Sequence, residues 1–179
     1  MDTIDKLLLK AAKFRVVRRK ENLAAGGEVA QEIILHPGAV AIIPLLEPDR
    51  VCLIQNRRIA VGETLIELPA GTLNPGEDPQ AAAIRELAEE TGYRAGKMVL
   101  LTECFMSPGI LRERMHIFIA TQLTAGPRAL AADEQIETLI VNWNEAIQMI
   151  DEGRIEDAKS MVGLLSYNRI RSGGLAAGH

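Results

Sequence analysis

The sequence predicts an α+β fold, a mixed sheet flanked by helices. Three observations carry that expectation. Short apolar runs rich in β-branched residues recur through much of the chain. An acidic segment with clear helical start and stop signals lies in mid-chain, between Asp78 and Gly92. Two further helix-like segments close the chain after the last strand-like run. At 179 residues the chain suits one domain with a real core and a small N-terminal extension.

Taken in order, residues 3–12 read as a short helix. Residues 14–19 and 29–36 look like two strands joined by a turn around Gly26-Gly27, hence a hairpin. Pro37-Gly38 punctuates the chain, and residues 39–46 and 51–55 follow as buried strands. Residues 65–68 form a short extended segment. Asp78 as N-cap and Pro79 at the first helical position start a helix that Gly92 ends. Its apolar face is expected to carry Ile84, Leu87, Ala88 and Thr91. Strands follow at 98–105, 115–123 and 137–142, then helices at 144–152 and 157–171. The Gly-rich tail, 172–179, is expected to fray.

Apolar residues make up 47% and charged residues 25%, the balance of a soluble globular protein. A net charge of −4 argues against a nucleic-acid backbone as main partner. No apolar run is long enough to span a bilayer, and the acidic start Asp2-Thr3-Ile4-Asp5 lacks the order of a signal peptide. The expected compartment is cytoplasmic. Cys52 and Cys104 sit in apolar strand-like runs and read as small buried hydrophobes. His116 reads as a packed histidine and Trp143 as core or interface.

One run points to chemistry. Gly71, Glu77, Arg85, Glu86, Glu89, Glu90 and Gly92 stand at fixed spacings within residues 71–93. With each residue type at roughly 7%, chance gives such a match in about one chain per million of this length. Glu86 and Glu90 are four apart and share a helix face, with Glu89 beside them. Stacked carboxylates repel, and a divalent cation is the evident reason to keep them: Mg²⁺ takes hard oxygen ligands and shares its site with substrate phosphates. A solvated acidic helix face is the simpler reading of Glu-x-x-Glu-Glu alone. It leaves Gly71, Glu77, Arg85 and Gly92 unexplained.

This run resembles the signature of the Nudix hydrolases, with Tyr93 where an aliphatic residue is usual. The resemblance implies an α/β/α sandwich with a mixed sheet and an N-terminal β-hairpin extension. It implies Mg²⁺ or Mn²⁺ held by Glu86, Glu89 and Glu90, with the Ala70 carbonyl as a further ligand. Glu77 would support the site indirectly, and Arg85 would orient the carboxylates by ion pairing. Gly71 and Gly92 suit tight turns at the ends of the unit. The implied reaction is attack of water on a phosphorus of a nucleoside diphosphate linked to another group.

Flanking residues resemble the ADP-ribose pyrophosphatase subfamily: Gln55-Asn56-Arg57, Leu65-Ile66-Glu67-Leu68-Pro69-Ala70-Gly71, Ser107-Pro108-Gly109 and the acidic pair Asp133-Glu134. By position, Arg57, Glu67, Pro108 and Gly109 would bind substrate, and Glu134 would be the catalytic group of a mobile loop. Each has a plainer alternative: Arg57 a surface arginine, Glu67 a solvent-facing acid, Ser-Pro-Gly a turn, Glu134 a solvated loop residue. Asn56 replaces the usual aromatic, and only 3% of residues are aromatic, so another sugar nucleotide such as GDP-mannose stays open as substrate. A ligand-binding Nudix domain without turnover, and an enzyme for oxidised nucleoside triphosphates, are further alternatives. The subfamily implies a homodimer. The expected organisation is a dimerising helix/hairpin extension over 1–36, a hydrolase domain over 37–171 and a flexible tail over 172–179.

Overall fold

The computed structural model describes residues 4–128 and 135–173. Asp133 and Glu134, and residues 174–179 of the tail, lie outside the described residues. The strands are β1 (Ile4–Lys10), β2 (Arg15–Asn22), β3 (Glu28–Leu35), β4 (Ala39–Leu46), β5 (Arg50–Arg58), β6 (Glu63–Glu67), β7 (Ala70–Thr72), β8 (Tyr93–Phe105), β9 (Leu111–Arg112), β10 (Arg114–Ala125) and β11 (Ile136–Asn142). Helix α1 (Pro79–Thr91) follows β7, and α2 (Trp143–Asp151) and α3 (Ala158–Arg171) close the chain.

The larger sheet runs β11-β5-β4-β10-β8, with β6 on β5 and β7 on β4. The β10–β4 pair is parallel and its other pairs are antiparallel, so the sheet is mixed. Strand β4 shows why the fold has three layers. Its residues alternate between two apolar clusters: Val40 and Ile42 pack with Ala82, Ala83 and Leu87 of α1, whereas Ala39, Ala41 and Ile43 pack with Trp143, Ala146, Met149 and Leu164 of α2 and α3. A strand buried on both faces must be apolar throughout, which is how 39–46 reads in sequence. Trp143 is core: its ring is buried, its Nε1–H donates to Asn168 Oδ1 at 2.9 Å, and Tyr167 meets it edge-on. Cys52 is buried, and burial pushes its thiol up to about 12. Cys104 is part-buried and raised by the same cause. Among the described residues no helix is long and apolar enough to cross a membrane.

Two local expectations are corrected. Residues 4–10 form a strand instead of a helix, pairing antiparallel with β2 from Ile4–Lys20 to Lys10–Arg15. A helix this short nucleates poorly, whereas the ladder satisfies its backbone and lets Arg19 clasp Asp5 through two 2.8 Å hydrogen bonds. The hairpin is therefore part of a four-stranded sheet, β1-β2-β3-β9, whose last pair is parallel. The second correction concerns α1. Its buried face is Ala82, Ala83, Glu86, Leu87, Glu90 and Thr91, and Ile84 is 46% exposed. The small side chains of Ala82 and Ala83 let the helix approach the sheet, and Glu86 and Glu90 turn inward because partners wait there.

Candidate active site

The ends of α1 are as its sequence dictates. Asp78 Oδ2 accepts the Ala81 N–H at 3.0 Å, Pro79 opens the first turn, and Gly92 closes the last at φ 76°, donating its N–H to Ala88 O. With both ends set, Glu86 and Glu90 point into the molecule, 9% and 3% exposed. Burying carboxylates is unfavourable unless each has partners. Glu90 Oε2 accepts the Ala70 N–H at 2.8 Å, and Glu86 Oε1 accepts from Arg85 Nη1 at 2.6 Å.

Arg85 is the hub of the cluster. Its Nε and Nη2 donate to the two oxygens of Glu77 at 2.9 and 3.0 Å, a bidentate clasp, and Nη1 also reaches Glu89 Oε2 at 3.0 Å. These hydrogen bonds, Glu77's foremost, raise the arginine's pKa despite partial burial. The same clasp, helped by the Asn74 N–H, holds the Glu77 carboxyl down at about 2. Arg85 thus ties Glu77, Glu86 and Glu89 into one cluster.

Gly71 has a different reason from the expected turn. A Cβ built on it would fall onto the carboxyl group of Glu86. The bare backbone of Gly71 makes room for the Glu86 carboxyl itself, which lies where a side chain would begin. Gly92 does serve a turn, and a Cβ there would also press on Gly126 O at 2.7 Å.

Clustered carboxylate oxygens suit a divalent cation. Among the described residues no group of three or more His, Cys, Asp or Glu is arranged to hold a metal ion. Mg²⁺ does not require one, since it binds through one or two carboxylates and keeps waters or substrate phosphates for the remaining positions. Glu86, Glu89, Glu90 and the Ala70 backbone are the donors that fit.

A second charged cluster lies beside this one. Glu67 is 1% exposed, not solvent-facing. Arg58 Nε and Nη2 donate to its two oxygens at 2.8 and 2.6 Å, and Lys159 Nζ donates to Oε2 at 2.6 Å. Burial pushes the Glu67 carboxyl up, but Arg58 and Lys159 together hold it below its usual value. Hydrogen bonding to Glu67 raises Arg58, and the charges of Glu90 and Asp157 also act on it, which puts Arg58 within the field of the helix site.

The expected site residues thus separate into groups. Ala70, Glu77, Arg85, Glu86, Glu89 and Glu90 come together. Arg57 is exposed on the opposite side of β5 from Arg58 and Ile54, and makes no side-chain ion pair among the described residues. Asn56 is buried, with Leu65 and Ile136 as ladder neighbours, so its position is no exposed platform for a base. Pro108 and Gly109 line a cavity of about 250 Å³ with Arg19, Gln31, Phe105 and Arg112, and Gln31 Nε2 donates to Gly109 O at 2.6 Å. That loop docks on the N-terminal sheet and shares no lining residue with α1. Lys159 has no motif around it that marks it in sequence; only a near-buried lysine at a helix start betrays it, and burial is a tertiary fact.

Residues 35–162, most of the chain, match the NUDIX domain family. The chain belongs to the Nudix family. Like its relatives, it is a Nudix pyrophosphohydrolase, and Nudix hydrolases generally use divalent metals. It is 36% identical to an ADP-ribose pyrophosphatase of Bacillus subtilis over 77% of this chain and 76% of that one. It is 34% identical to a GDP-mannose pyrophosphatase of Klebsiella pneumoniae over 96% of this chain and 84% of that one. A crystal structure described as an ADP compounds hydrolase superposes with a TM-score of 0.82 over 98% of this chain and 95% of its own, at 20% identity. That likeness supports the Nudix fold, with its α/β/α layers.

Proposed function

We propose that this Nudix hydrolase uses Mg²⁺, or Mn²⁺, to cleave the pyrophosphate of a nucleoside diphosphate sugar, with ADP-ribose giving AMP and ribose 5-phosphate. The observation that carries the reading is the Glu86 carboxyl seated against the bare backbone of Gly71, with Glu90 on the same buried helix face and its charge acting on Arg58. Bound there, the cation would lower the pKa of the attacking water and offset charge on the pyrophosphate. Glu86, Glu89, Glu90 and the Ala70 carbonyl would hold it. Arg85 fixes the carboxylates, drawing Glu77 in as its counter-charge. Arg58, rather than Arg57, takes a phosphate oxygen, because Glu67 orients it beside the helix site. Glu134 is assigned the general-base role and is tested by Glu134→Gln, which should lower kcat more than KM.

A second reading changes the sugar nucleotide. GDP-mannose is favoured by the relative named for that substrate that matches 96% of the chain. We also assign a homodimer to the N-terminal sheet, whose edge strand β1 exposes Ile4, Leu7, Leu8 and Leu9.

The test is a Mg²⁺-dependent hydrolysis panel across ADP-ribose, GDP-mannose, UDP-glucose, NADH and nucleoside triphosphates, read by product chromatography. Dominant release of AMP from ADP-ribose supports the first reading, and dominant GDP-mannose cleavage the second. Preference for triphosphates, or silence throughout, overturns both.

A further inference from the structure

Behind the site, a chain of buried polar groups runs from the start of α3 to Arg58. Asp157 caps the helix, accepting the Ser160 N–H at 3.1 Å and the Ser160 hydroxyl at 2.6 Å. The same Asp157 oxygen pairs with Lys159 Nζ at 2.8 Å, and Lys159 passes on to Glu67, which holds Arg58. Two cations thus face two carboxylates. Lys159 is only 9% exposed, whereas the Arg58 side chain is 39% exposed and keeps a solvent face.

Tethering α3 to the sheet does not require that lysine. The Leu68 N–H already donates to Ser160 Oγ at 2.7 Å, which ties the helix to the segment preceding Ala70 and Gly71. A buried ammonium with well-packed apolar alternatives is weak evidence for stability alone. What it changes is the charge balance on Glu67. Without Lys159, Glu67 and Asp157 would share one cation, Arg58, and draw it inward. Its charge would then be less available to an incoming phosphate.

We propose that Lys159 is a positioning residue for substrate: by neutralising Glu67 from behind, it leaves Arg58 able to take a phosphate oxygen. The inference rests on the role given to Arg58 under Proposed function. It makes Lys159 a determinant of substrate affinity through Glu67, without touching substrate itself.

The test combines Lys159→Met, Lys159→Arg and Arg58→Met, with the double variant Lys159→Met/Arg58→Met. Binding of ADP-ribose and of GDP-mannose is measured by calorimetry in EDTA, and turnover in Mg²⁺. Lys159→Met should raise Kd and KM about tenfold, the scale of one weakened charge-assisted hydrogen bond. Its kcat should stay within about twofold, as when uniform binding is lost. Lys159→Arg should restore affinity, and in the Arg58→Met background Lys159→Met should add nothing further. If Lys159→Met does not fold, Lys159→Gln carries the same expectation. Unchanged KM with lowered thermal stability, or full additivity with Arg58→Met, overturns the inference and leaves the proposed function standing. A wild-type protein that neither binds nor cleaves a sugar nucleotide overturns both.

Discussion

Replacing Gly71 with alanine adds one methyl group where the structure has no room for it. The new Cβ would overlap the Glu86 carboxyl, so the carboxylate must swing away and give up its 2.6 Å contact with Arg85 Nη1. A charge-assisted hydrogen bond is worth about 1.5–3 kcal/mol. Arg85 is 30% exposed, and solvent screening brings the expected loss to about 1–2 kcal/mol. For a chain of this size that lowers Tm by about 2–8 °C. Activity should suffer far more. Displacing a reacting group by about 1 Å can cost about 10²-fold, and Glu86 is an assigned metal ligand, so kcat/KM should fall at least that much. The assay pairs thermal melting with kcat/KM on the best substrate of the panel across a Mg²⁺ titration. Gly126→Ala is the control, since its Cβ meets nothing closer than 3.4 Å. Wild-type kcat/KM in Gly71→Ala would refute the claim that the glycine exists to seat Glu86.

Glu90→Gln keeps an oxygen to accept the Ala70 N–H but loses the charge, so turnover should drop by orders of magnitude with near-native circular dichroism; normal activity would remove Glu90 from the metal site. Arg85→Lys cannot clasp Glu77 while reaching Glu86 and Glu89, and should lower kcat/KM about 10²-fold with rising Mg²⁺ demand, measured by metal titration. Because folding depresses the Glu77 carboxyl from 4.5 to about 2, its stabilising contribution is present above pH 4.5 and lost as pH falls towards 2. Urea midpoints of wild type and Glu77→Gln should converge over that window; parallel curves would refute the clasp.

The ends of the Nudix helix and its carboxylate pair were legible because their signals are local. A cap, a proline, a terminal glycine and an i,i+4 carboxylate pair act within a few residues, and the structure shows each of them. Strand β4 was legible for a related reason, since burial on both faces leaves an unbroken apolar run. Strand β1 was not: Leu7, Leu8 and Leu9 are consecutive, so period 2 and period 3.6 are indistinguishable there, and pairing with β2 decides. The inward face of α1 was missed because hydrophobic periodicity counts Glu86 and Glu90 as polar.

Local chemistry along the chain therefore settled the family, the clustering of acids on the helix and the extent of most elements. Tertiary structure decided which of two adjacent arginines pairs with the buried Glu67. Strand parity places Arg58 on the face of Glu67 and Arg57 on the other, yet no residue near them marks which face carries the chemistry. It also decided that Gly71 clears space for a side chain fifteen positions on, and that Lys159 reaches Glu67 across 92 residues. Contacts of that separation depend on how the layers close, and no spacing in the linear chain encodes them.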